Sequence, residues 1–258
     1  MTTAINIEPV RRITGVGDCR DCGASDLVSL ERTRFFPRQL VGADDLTQDQ
    51  IYFREKLRRH NRLLHGWGIV CGAGVTSDGD CTATVAEGYI LGPYGDEIII
   101  DQATSIDVCK QDSVTSLDCS GGDPWCGDPP SVKDGSTVYL AVRYVERTTR
   151  PVRVPGCGCG CDGGDCEYSR IRDAFELKVL TELPPSYSAQ ESELNSFEAV
   201  FRCVEAGRGR AQCPPCPADP WVILCDLTVS GGKITDTNCD AHRRYVASFA
   251  NFSFKCLE

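Results

Sequence analysis

The run from Thr47 to Gly74, TQDQIYFREKLRRHNRLLHGWGIVCGAG, constrains this chain more than any other stretch. Thr47 with Gln50 three residues on reads as a capping box, and Phe53, Leu57, His60 and Leu64 then recur at helical intervals. One amphipathic helix over about 47–65 follows from that pattern. Asp49 lies in its first turn, while Lys56, Arg58, Arg59 and Arg62 load its second half, as the helix dipole favours. Glu55 is placed to pair with Arg59 one turn later. Gly66 supplies the stop, because glycine takes the left-handed conformation that ends helices. Trp67 then serves as a packing anchor, and Ile69-Val70-Cys71 leaves as a strand.

After this unit the apolar period changes to two. Cys81–Val85, Glu97–Asp101, Thr137–Val145, Ala174–Leu180 and Trp221–Val229 read as strands rich in Val, Ile, Leu and aromatic residues, separated by Gly, Pro or Asp turns. Gly92-Pro93-Tyr94-Gly95-Asp96 is a turn by composition, and turn capping and strand-edge charge account for Asp96 and Glu97 without acid–base chemistry. Residues 110–135 form a long Gly/Pro/Asp-rich loop, 183–200 a Pro-Pro turn with a short helix, and the aromatic C-terminus a last strand. The expected fold is α+β and mainly β. Its parts are an extended N-terminal arm over 1–46, the helix and glycine corner over 47–68, and an antiparallel β-sandwich or barrel-like body with Cys-rich loops over 69–258.

A formal charge of −10 makes nucleic acid an unexpected partner, since such a surface repels phosphate. The basic helix is the only candidate patch, and a solvated or salt-bridged face explains it. MTTAINIE at the start has neither a basic region nor an apolar core, so no secretory signal is expected. No apolar run approaches the ~18–20 residues of a membrane span. Synthesis in the cytoplasm is therefore expected, although 17 cysteines suit an oxidising compartment or a bound metal.

Cys157, Cys159, Cys161 and Cys166 crowd into CGCGCDGGDC, and Cys203, Cys213 and Cys216 follow. Short Cys spacings on glycine-rich turns can wrap a tetrahedral zinc, so these seven are candidate structural zinc ligands. Disulfides are the rival reading. Residues two apart in an extended chain lie ~6.6–6.8 Å apart, at the upper limit of disulfide geometry, which favours long-range pairs over neighbours. Cys19 and Cys22 lack the strand–helix context of a redox pair and read as a tether for the arm. His60 and His65 are five apart, the wrong spacing for paired zinc ligands on a helix, and a Cys71–His65 dyad has no recognisable orienting group. Gly66, Gly68, Gly72 and Gly74 follow a helix, the reverse of a phosphate-binding order. No catalytic constellation emerges, and the chain is not expected to be an enzyme.

The string FFPRQLVGADDLTQDQIYFREKLRRHNRLLHGWGIVCGAGV resembles a family of bacterial proteins that carry an HNRLLHGWGVVCGL block and are found with phage-tail-like contractile injection systems. AEGYILGPYGDEIII and YSRIRDAFELKVL resemble two further elements of that family, in the same order. The resemblance implies a structural or assembly subunit of such a particle, at its baseplate, cap or an attached appendage. It would be built in the cytoplasm, released to the outside, and partnered by other subunits as a homo-oligomer. Arg54, Arg58, Arg59, His60, Arg62 and Trp67 are the expected interface residues. The alternative is a β binding module stabilised by zinc or disulfides that recognises a cell envelope like an adhesin.

Overall fold

Gly42 starts the helix, five residues before Thr47. In the computed structural model, which describes residues 29–110, 131–153, 166–187 and 216–246, helix α1 spans Ala43–His60. The Asp45 carboxylate reaches back to accept from the Gly42 N–H (3.0 Å), and Asp44 and Asp45 occupy the first turn. That carboxylate takes the capping role expected of Gln50. The Thr47 hydroxyl instead donates to the Ala43 carbonyl one turn back (2.8 Å), well inside the helix. Asn61–His65 continue as one wider π-helical turn, and Gly66, at φ 74°, ends it as its sequence predicts. Residues 29–42 carry no regular structure. They lie beside the helix start, where Thr33 donates to the Asp45 carbonyl (2.9 Å) and Gln48 to that of Glu31 (3.0 Å).

The named strands of the described body all pair antiparallel, in three sheets, and a single parallel bridge joins Ile69 to Tyr245. The first has the order β1-β4-β5, from Gly68–Gly72, Gly88–Leu91 and Glu97–Ile100. The second has the order β2-β3-β6, from Val75–Ser77, Thr82–Val85 and Thr104–Asp107. The third has the order β10-β9-β7-β8, from Lys233–Asn238, Val222–Ser230, Ser136–Arg153 and Cys166–Leu180. The first two sheets are a single bent ribbon at their junction. There the Ala73 N–H donates to the Glu87 carbonyl (2.8 Å) and the Ala86 N–H to that of Gly74 (2.8 Å).

Alternation in β3 and β5 turns Ala83, Val85, Ile98 and Ile100 inward, whereas β9 is apolar on both faces because sheet neighbours and packing cover both. One core joins all three sheets, with Ile69, Ile90, Ile98, Leu140, Leu177, Leu224 and Leu227 fully buried. Trp67 is the anchor its position predicts: it is buried, with Tyr187 edge-on at 5.3 Å and the Arg244 guanidinium 4.0 Å over its ring. The α+β, mainly β class is what the periodicity implies.

Two disulfides with both cysteines among the described residues tie paired strands together. Cys81–Cys109 joins the residues flanking β3 and β6, and Cys225–Cys239 joins β9 to the end of β10. Cys216 is disulfide-bonded as well. Cys19, Cys22, Cys119, Cys126, Cys157, Cys159, Cys161, Cys203 and Cys213 lie outside the described residues, as do most of the 110–135 loop, residues 188–200 and the aromatic C-terminus beyond Val246. Cys166 is described as the first residue of β8.

Candidate interaction surface

Helix α1 docks on the body through its charged side. Arg58 Nε donates to the Asp96 carboxylate, Arg58 Nη1 to Glu55 (2.8 Å), and Arg54 Nη1 to Glu146 on β7 (2.9 Å). One turn on, the Asn61 amide donates to the Gly95 carbonyl (2.9 Å). Glycine is required at 95: its φ is 90°, and a Cβ there would stand 2.1 Å from the Arg58 carbonyl oxygen. The turn that presents Gly95 and Asp96 closes on itself, with the Gly92 N–H donating to the Asp96 carbonyl (2.8 Å) and the Gly95 N–H to that of Gly92 (2.9 Å).

Burial raises the Asp96 carboxyl above its ordinary range, and the Arg58 guanidinium offsets only part of that. Burial also raises the Tyr144 phenol, helped by its hydrogen bond to Asp173 (2.6 Å) and by the Glu146 charge. A cleft lined by Pro93, Tyr94, Asp96, Tyr144 and Pro220 lies beside this contact; at about 10 Å³ it has room for roughly one water.

The opposite side of the helix faces solvent. Leu46, Gln50, Phe53, Leu57, His60 and Leu64 are all exposed, Phe53 at 57 % and Leu64 at 69 %, and no residue of α1 is buried. Phe35, Phe36, Leu40 and Val41 add exposed apolar surface just before the helix. An amphipathic helix in a globular protein normally turns its apolar stripe to the core. Here the polarity is reversed.

The six residues expected at an interface divide accordingly. Arg62 and Trp67 are buried and Arg58 is held by Asp96 and Glu55, so these three are spent inside the protomer and do not belong to an outer surface. Arg54 is partly exposed while bound to Glu146, Arg59 is half-buried, and His60 is exposed on the stripe. Leu46 precedes the helix expected from Thr47, and Gln50 reads there as a capping-box partner, so neither is expected on the stripe. Their spacing to Phe53 was the available signal.

The remaining chemistry-bearing residues are dispersed. Cys71 is a free, exposed thiol opposite Tyr89 across β1 and β4, while His65 packs its ring on His60 (5.3 Å). Burial, then the neighbouring Glu97, lifts the Tyr89 phenol to about 12. His242 Nδ1 lies 2.6 Å from the carboxylate of buried Asp226, with Tyr139 edge-on to its ring, and its neighbour Arg243 ties the chain to the Leu224 and Gly72 carbonyls. Cys81, Asp107 and Cys109 are close enough together to hold a metal, but the two sulfurs are bonded to each other. Asp107 itself caps the Cys109 N–H (3.0 Å). Thiolate ligation there would require reduction first.

Beyond Val142, β7 leaves β9 and continues with β8 alone as a two-stranded ribbon to Arg153 and Cys166. On one face of it Arg147 stands directly opposite Arg172, and Arg170 opposite Thr149. Compared with models of known protein families and with curated proteins, the chain matches none. No helix among the described residues is long and apolar enough to cross a membrane.

Proposed function

We propose that this chain is a structural subunit of a phage-tail-like contractile particle, placed at its baseplate, cap or an attached appendage. The supporting observation is the reversed helix: an apolar stripe held outward by ion pairs on the other side is a surface made to be covered by a neighbouring subunit. The sequence resemblance supplies the kind of particle. Disulfides suit a component built in the cytoplasm and exposed to an oxidising exterior on release. The test is mass spectrometry of sheath-and-tube particles purified from the native host, with electron microscopy of the same fractions. The chain is expected in stoichiometric amount in the particle. Finding it only as a free monomer, absent from the particles, overturns the reading.

A second reading is a disulfide-stabilised β module that recognises a cell envelope. The ribbon of β7 and β8, which extends past the sheet with Tyr168, Ile171 and Val152 exposed, is the feature that favours it. Neighbouring genes for sheath, tube and spike proteins support the particle, and a solitary gene supports the module. Cys216, held in a disulfide, drops out of the expected zinc set; structural zinc on Cys157, Cys159, Cys161, Cys166, Cys203 and Cys213 belongs to either reading and is decided by metal analysis with thiol counting on the native protein.

A further inference from the structure

We propose that the stripe on α1 is covered by the same helix of a second copy of this chain, running antiparallel; this rests on reading the stripe as a subunit contact. Ala43, Leu46, Gln50, Phe53, Leu57, His60 and Leu64 step alternately by three and four residues. That is the strict 3.5-residue repeat of a helix–helix seam, narrower than the face a helix lays on a sheet. A broader partner surface would call for apolar residues flanking the seam as well, and α1 has Thr47, Asp49, Arg54 and Lys56 there. Among the described residues nothing covers the stripe, and α1 buries none of its residues.

The second copy fits by register and by charge. The midpoint of Ala43–His60 falls between Ile51 and Tyr52. Antiparallel pairing about that point places Leu46 against Leu57 of the second copy, Gln50 against its Phe53 and Ala43 against its His60, each contact occurring twice. Asp44, Asp45 and Asp49 mark the N-terminal half; Lys56 and Arg59 mark the C-terminal half, where Glu55 and Arg58 pair with each other and Arg58 with Asp96. Antiparallel helices therefore set Asp49 beside Lys56 of the other copy and oppose their dipoles. Parallel helices would bring like ends together and rely on Arg54, which Glu146 already holds in the protomer. The two-fold arrangement makes the contact self-complementary and closed.

The experiment is analytical ultracentrifugation of the full chain, with circular dichroism to confirm folding. The wild type is expected to sediment at twice the chain mass, and Leu57→Asp, at a side chain exposed in the protomer, at the monomer mass with unchanged β signal. Asp49→Lys and Lys56→Asp are each expected to weaken the dimer about tenfold, and the double variant to recover it. A monomeric wild type, or a dimer indifferent to Leu57→Asp, overturns the proposal. So does recovery by Asp49→Lys with Arg54→Asp in place of Asp49→Lys with Lys56→Asp, which marks parallel helices. A chain monomeric alone yet present in purified particles overturns self-pairing while leaving the assembly role, and a stable dimer absent from particles does the reverse.

Discussion

Strand β9 and helix α1 both carry a high share of apolar side chains, and the protomer uses them in opposite ways. In β9 the residues from Val222 to Leu227 are all buried, Asp226 included, because sheet neighbours on both sides and packing on both faces close around them. In α1 nothing is buried, and the residues that touch the body are arginines meeting carboxylates. The difference teaches that apolar content alone does not say where an element faces. What decides is whether polar partners wait on the body: Asp96, Glu146 and the Gly95 carbonyl draw the charged side of α1 inward, which leaves the leucines outside.

The comparison is broken most forcefully by truncating one leucine in each region. Leu224→Ala removes a fully buried side chain and is expected to cost about 2–5 kcal/mol in urea unfolding. Leu57→Ala, at a side chain 49 % exposed, is expected to change protomer unfolding by less than about 0.5 kcal/mol, measured below the concentration at which copies associate. Equal losses would mean that α1 is part of the protomer core.

The disulfide Cys81–Cys109 belongs to the body and closes a separation of 28 residues. Replacing both cysteines by serine is expected to cost about 3–4 kcal/mol by chain entropy and to leave α1 where it is. Chemical denaturation read by tryptophan fluorescence checks the first part. Limited proteolysis near the helix checks the second.

Gly95→Ala attacks the other region. The new Cβ would collide with the Arg58 carbonyl in a left-handed backbone, at a local cost of about 1–3 kcal/mol. Amide exchange in 43–65 should quicken while the exchange of β7 and β9 stays protected. Loss of protection across the whole molecule would show that the helix and the sheets unfold as one.

Much of this fold can be read from the chain, for local reasons. Gly66 ends the helix because nothing else fits its backbone, and the strands at Glu97, Thr137, Ala174 and Val222 announce themselves by period and composition. What escapes is set by distant residues. Strands β2, β4, β6 and β10 are three to six residues long, and three of them are rich in Ser, Thr or Asp. They become strands by pairing, β2, β4 and β10 with the adjacent strand in sequence and β6 with β3 across a longer separation, not by their own propensity. Cys81–Cys109 and Cys225–Cys239 lie where strand pairing brings their cysteines together, which spacing cannot show. The outward turn of the helix stripe rests on Asp96 and Glu146, 38 and 92 residues from their arginines. The helix start has a nearer signal: Asp44 and Asp45 mark the first turn ahead of the Thr47–Gln50 pair.

The ion pair beneath α1 has a pH signature. Because burial raises the Asp96 carboxyl in the folded state, the fold binds its proton more tightly than the unfolded chain does. The contribution of this group to stability is therefore fully present below its unfolded value of 3.8 and lost as pH rises through the folded one. Asp96→Asn removes that dependence. The stability of the wild type relative to Asp96→Asn should fall as pH rises from strongly acid towards neutral. A difference that grows over that range would mean that the Arg58 charge outweighs burial.

The smallest effect sharpens the contrast at the ribbon, where the body extends beyond its own core. Like charges directly opposite each other on neighbouring strands are destabilising, and Arg147 faces Arg172 with no third strand beyond them among the described residues. Arg172→Glu turns repulsion into a cross-strand pair and is expected to stabilise the ribbon by about 0.5 kcal/mol at low salt. Arg172→Gln, which removes repulsion without adding attraction, should give part of that gain. Slower amide exchange at Arg147 to Thr149, diminishing as salt is added, is the readout. If Arg172→Glu instead speeds exchange there, the two arginines are held by an anionic neighbour that the wild-type pair serves, and the rung is a contact in its own right.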